Sequence, residues 1–150
     1  MGTLLKSETF DTFLLREGLV RTYMDFSFDG TIRTDYFDSE ELTGVKKYAE
    51  WGRIREYIFS LIRGKKTPLL IKLGFVMEDG KAREIMGSRG VAVNDTEQIL
   101  LSLNIIYSDN EAKAVTGVFR SAFTMGHEME YAWDEWITDY FKTCGIVLQK

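Results

Sequence analysis

Residues 99–124 read ILLSLNIIYSDNEAKAVTGVFRSAFT. Ile99, Leu101, Leu103, Ile105 and Tyr107 recur at every second position, the period of a half-buried strand. Ser108-Asp109-Asn110-Glu111 then breaks the pattern with turn-forming residues. Val115, Gly117, Phe119, Ser121 and Phe123 carry the alternation back. Two strands joined by so short a link run antiparallel. A helix follows over 127–142, with Met129, Ala132/Trp133, Trp136/Ile137 and Tyr140/Phe141 on one stripe and Glu128 and Glu130 at its dipole-favoured start. Gly145 ends it, and Ile146-Val147-Leu148 reads as a short last strand.

The same order recurs upstream. Val20, Thr22, Met24, Phe26 and Phe28 alternate. Asp29-Gly30 reads as a hairpin turn, and Ile32, Thr34 and Tyr36 as the return strand. Asp38 or Ser39 caps a short turn of helix at 39–43. Tyr48, Trp51, Ile54, Ile58 and Leu61/Ile62 predict a helix over 46–63, stopped by Gly64. Residues 3–11 read as the tail of a helix, and 69–77, LLIKLGFVM, as an interior strand. Asp79-Gly80 turns the chain into a short helix at 81–87, and 88–96 is a loop. Strands and helices do not alternate strictly. The expected fold is therefore α+β: one domain over 1–150, an antiparallel or mixed sheet of five to seven strands, and two main helices on it.

An echo links the two parts. Tyr48-Ala49, Ile54 and Glu56-Tyr57-Ile58 match Tyr131-Ala132, Ile137 and Asp139-Tyr140-Phe141, each pair 83 positions apart. It suggests pseudo-repeat halves at about 1–64 and 69–142, with strand, helix, hairpin and helix in the second and a similar hairpin then helix in the first.

Composition excludes more than it selects. Hydrophobic residues make up 45% and charged residues 28%, as in an ordinary globular domain. A net charge of −4 argues against a dedicated nucleic-acid binder. No apolar run approaches the ~20 residues needed to span a bilayer, so no membrane partner is expected. The single cysteine, Cys144, cannot form an internal disulfide, which suits a reducing cytoplasm.

The run KSETFDTFLLREG, the FSFDG hairpin, the segment WGRIREYIFSLIRGKKTPL and the YAWDEW helix resemble an uncharacterised bacterial domain-of-unknown-function family, over nearly the whole chain. That resemblance brings no activity, cofactor or catalytic residue. It implies a start upstream of Met1, with a first strand missing here. In layout the duplicated unit is similar to the gyrase-inhibitor-like, small-molecule-binding proteins, a likeness of fold alone.

Catalytic constellations are weak. His127, the only histidine, stands beside Glu128 and Glu130, and an imidazole–carboxylate pair could do acid–base work. The plainer reading is a helix-start residue. One His and one Cys do not make a usual zinc site. Asp25, Asp29, Asp35 and Asp38 match no calcium-loop spacing. Gly64-Lys65-Lys66-Thr67 lacks the earlier glycine of a phosphate loop and closes a helix instead of opening one. No metal and no cofactor is expected. Arg53, Arg55, Arg63, Lys65 and Lys66 form a basic stretch over 53–66, diluted by Glu50 and Glu56.

The expected function is a non-catalytic small-molecule or peptide-binding module with a groove between two similar halves. Its walls would come from Tyr48, Trp51, Trp133, Trp136 and Tyr140, with Glu130 or Asp134 orienting a cationic ligand. Simple core filling is the competing role for these rings. One alternative is a protein-interaction or homo-oligomerising module using an open strand edge or the basic 53–66 stretch. Another is an enzyme using His127 with Glu128 or Glu130.

Overall fold

The computed structural model describes residues 8–62, 64 and 66–149. Its elements run β1 (Leu14–Arg21), β2 (Asp25–Asp29), β3 (Ala49–Glu50), α1 (Trp51–Ile62), β4 (Leu70–Val76), α2 (Asp79–Ser88), β5 (Ile99–Ser108), β6 (Glu111–Arg120) and α3 (Glu128–Thr143). The strands form one six-stranded antiparallel sheet in the order β2-β1-β4-β5-β6, with β3 also pairing to β1. The α+β class follows directly. Residues 3–7 of the expected first helix, and Arg63 and Lys65, lie outside the described residues.

Contacts divide the chain into two compact units. The first holds the described residues up to Val76 together with Asn104–Val115; the second holds Met77–Leu103 and Thr116 onward.

The first unit is built on β1, which pairs with β2, β3 and β4. The β1–β2 turn is Thr22-Tyr23-Met24, one strand earlier than expected. The alternation from Val20 to Phe28 runs through this turn without losing phase, so the sequence hides it. Gly30 serves a different end: a side chain there would sit 1.8 Å from the Leu15 carbonyl oxygen. Its N–H donates to the Arg16 carbonyl at 2.8 Å, and its own carbonyl accepts from Ala49 N–H at 2.8 Å. Only glycine lets β2 end against β1 so closely. The expected return strand at 32–36 does not form; Thr31 makes a single bridge to Tyr48, and Thr34–Tyr36 is a 3-10 turn. The segment 39–43 forms turns, not a helix.

Helix α1 starts at Trp51 because Ala49–Glu50 already pair with Leu14–Leu15, and residues in a ladder cannot also open a helix. Trp51, Phe10, Phe13 and Phe75 pack as a ring cluster, Trp51 edge-on to Phe75 at 5.1 Å and Phe10 stacked on Phe75 at 5.6 Å. Val20, Ile58, Ile71 and Leu73 complete this core.

In the second unit, Asp79-Gly80 opens α2 instead of turning the chain before it. Asp79 favours the helix start and accepts from Arg83 Nε at 2.9 Å. The Asp109-Asn110 link, which belongs to the first unit, takes φ of 51° and 62°, the left-handed pair of a tight hairpin turn. Helix α3 buries Met129, Ala132, Trp133, Ile137 and Phe141. Gly145, at φ 77°, turns the chain so that Ile146 N–H closes on the Phe141 carbonyl at 2.8 Å. Residues 146–148 form no strand.

The echoed segments differ locally. Tyr48-Ala49 precede a helix, with Ala49 in β3, whereas Tyr131-Ala132 lie inside α3.

Candidate functional site

Aromatic residues at helical spacing were the expected pocket walls. Trp51 and Trp133 are fully buried and act as core. Tyr48 and Trp51 belong to the first unit, the remaining five candidates to the second. Tyr48 is half-buried on an open groove of about 420 Å³, also lined by Phe37, Glu50 and Arg53. Arg53 and Lys46 both pair with Glu50, at 2.8 and 3.1 Å, so these groove charges are already engaged with one another.

The structure brings Trp133, Trp136 and Tyr140 together as a stack on α3, with centroid spacings of 5.5 and 4.9 Å. One turn of helix separates each ring from the next, so the stack follows from 3–4 spacing. Trp133 Nε1 donates to the Ser102 carbonyl at 2.8 Å. Asp134 is engaged by the Thr116 hydroxyl. Glu130 lies 3.9 Å from His127 Nδ1, whose side chain is 71% exposed. Of the basic stretch, Arg55 is paired with Asp11 at 3.2 Å.

A feature with little local signature in the sequence lies on the sheet of the first unit. The β1–β4 register sets Val20 opposite Ile71 and Gly18 opposite Leu73, and Val20, Ile71 and Leu73 are buried on that face. The same register sets Glu17 opposite Gly74 and Leu19 opposite Lys72 on the other face. There Glu17 and Lys72 are exposed and Leu19 is half-buried. Gly74 leaves a dent: a side chain at that position would meet Glu17 Cγ at 3.1 Å and Asn104 Oδ1 at 3.3 Å. The result is an open depression of about 340 Å³ whose lining includes Glu17, Leu19, Lys72, Gly74, Asn104 and Ile106. Among the described residues, the side chains of Glu17, Lys72 and Asn104 have no hydrogen-bond or ion-pair partner. A glycine inside the apolar run LLIKLGFVM was the one available signal, since an isolated strand glycine often marks a close approach.

Among the described residues, no group of three or more His, Cys, Asp or Glu is placed to hold a metal ion. No helix among them is long and apolar enough to cross a membrane.

The model of a family of unknown function (DUF5721) matches residues 3–149. No curated protein and no solved structure matches the chain.

Proposed function

The chain belongs to the DUF5721 family, and we propose that it is a non-catalytic small-molecule-binding module, cytoplasmic in setting, whose site is the open sheet face at Gly74. One observation carries this reading: two unpaired charges and an unpaired amide ring a depression of about 340 Å³ that a single missing side chain creates. Concave sites with a few convergent polar groups on an apolar floor are where small ligands bind. Leu19 and Ile106 supply that floor; Glu17, Lys72 and Asn104 supply direction. Ligand-observed NMR with a library of small metabolites tests it. Bound compounds should be lost in Gly74→Leu, which fills the dent, and weakened in the milder Gly74→Ala. Circular dichroism checks that both variants are folded. Binding unaffected by either substitution overturns the proposal.

A second reading has its own observation. In β6, all five residues from Glu111 to Val115 are exposed. β6 is also the last strand of the sheet order, so among the described strands none pairs with its outer edge. This supports an interaction or homo-oligomerising role. Sedimentation should then show association that Val115→Lys abolishes; a concentration-independent monomer ends this reading.

A further inference from the structure

The proposal that the Gly74 depression binds small molecules leaves the ligand's chemistry open, and the charges around it narrow the choice. On that reading, we infer that the ligand is a zwitterion carrying an amine and a carboxylate close together beside an apolar group, as in a free apolar amino acid.

Glu17 stands opposite Gly74, and Lys72 stands opposite Leu19, two residues along β1. Glu17 and Lys72 are therefore diagonal neighbours on one face, with backbones about 7–8 Å apart. Long side chains of opposite charge at that spacing can reach each other. Here they do not: among the described residues no ion pair joins them, nor either of them to anything else. They leave room for a ligand between their charged ends.

Each charge has a reason to accept a guest. Glu17 lies opposite Asp29 across the β1–β2 ladder, a like-charged pair that disfavours the strand pairing. Asp29 is already committed to the Thr31 N–H at 2.9 Å. An ammonium beside Glu17 relieves that repulsion and can also donate to Asn104 Oδ1. Lys72 is flanked on β1 by Leu19 and, diagonally, by Arg21. Arg21 is bidentate to Asp25 at 2.8 and 3.1 Å, so Lys72, the cation that lines the depression, is the one placed to take a carboxylate. A ligand with only an amine leaves Lys72 unused, and one with only a carboxylate meets Glu17. A zwitterion satisfies both, while its side chain rests on Leu19 and Ile106.

The probes are L-leucine, its methyl ester, which lacks the carboxylate charge, and N-acetyl-L-leucine, which lacks the amine charge. Amide chemical shifts are followed in the 15N-labelled protein. L-leucine should move the Gly74, Asn104 and Leu19 signals and bind roughly tenfold or more tightly than either blocked form, as loss of a charge-assisted hydrogen bond demands. Glu17→Gln should erase the preference over N-acetyl-leucine but keep that over the ester. Lys72→Met should do the reverse. Equal binding of all three probes, or no binding of L-leucine while library compounds still move these signals, overturns the zwitterion and leaves the binding site standing. Silence of these signals to leucine and library alike overturns both.

Discussion

Trp51 in the first unit and Trp133 in the second are equally buried and differently held. Trp51 sits among Phe10, Phe13 and Phe75, and its indole N–H has no partner among the described residues. Trp133 stacks on Trp136 and donates to the Ser102 carbonyl at 2.8 Å. The contrast extends outward. The second unit is pinned by directed polar contacts. Arg120 grips the buried Glu97 through two hydrogen bonds, of 2.5 and 2.9 Å, and Arg89 on the α2 side reaches Asp139 of α3 at 2.9 Å. The first unit's core relies on ring packing, with the part-buried Arg55–Asp11 pair at its margin. Packing is tolerant of shape-conserving change, whereas a directed bond is lost outright when its donor goes.

The largest effects test that contrast directly. Trp→Ala at either position should cost about 3–5 kcal/mol in urea unfolding, because each empties a core site. Trp→Phe should separate them. Trp133→Phe takes the indole donor from Ser102 and should lose about 1–3 kcal/mol beyond the volume change. Trp51→Phe deletes an unpartnered donor, which offsets part of the lost packing, so its loss should be clearly smaller. Equal losses in the two phenylalanine variants would erase the distinction.

A middle-sized effect sharpens it from the opposite side, since the first unit has one intolerant point in its backbone. An alanine methyl at position 30 would press on the Leu15 carbonyl at 1.8 Å, and backbone cannot step aside. In the second unit, a methyl at position 117 meets only the Ser102 hydroxyl, at 2.5 Å, which can rotate away. Gly30→Ala should therefore destabilise by about 1–3 kcal/mol, and Gly117→Ala by less than about 1 kcal/mol. Thermal melts of the two variants side by side decide it.

Gly30 also shows what the sequence could and could not reveal. Where local chemistry sets the structure, the sequence displays it: Asp109-Asn110 makes the second hairpin, and Gly145 ends α3 at the expected place. The first hairpin was misplaced because Thr22-Tyr23-Met24 carries no turn residue, while Asp29-Gly30 looks like one. The reason for Gly30 is a neighbour fifteen residues earlier, which local patterning cannot contain. The candidate site was hidden for the same cause. Gly74, Glu17 and Asn104 are unremarkable in their own segments and meet only through strand pairing. The aromatic stripe of α3 was legible as a stripe, but periodicity alone does not tell a pocket wall from a core. Burial of Trp133 assigns that ring to the core.

The smallest effect appears in acid. Glu97 in the second unit and Asp25 in the first are both held below the usual carboxylate range. In each case the leading cause is the hydrogen bond from an arginine, Arg120 for Glu97 and Arg21 for Asp25. A carboxylate with a lowered folded pKa stabilises the fold above its unfolded value and loses that contribution as pH falls through the folded value. For Glu97 the loss begins near the ordinary value of 4.5 and continues below it. Glu97 is buried, so solvent does little to screen its pairing; Asp25 is about half exposed, and water and salt weaken its pair. Urea midpoints followed from neutral pH into acid should fall for the wild type. Glu97→Gln should start lower at neutral pH and fall less steeply, since the amide keeps a hydrogen bond to Arg120 but has no proton to take up. Asp25→Asn should track the wild type. If Asp25→Asn flattens the acid limb as much as Glu97→Gln does, the directed contacts of the second unit are not what sets its stability apart, and the comparison of the two units fails at its electrostatic end.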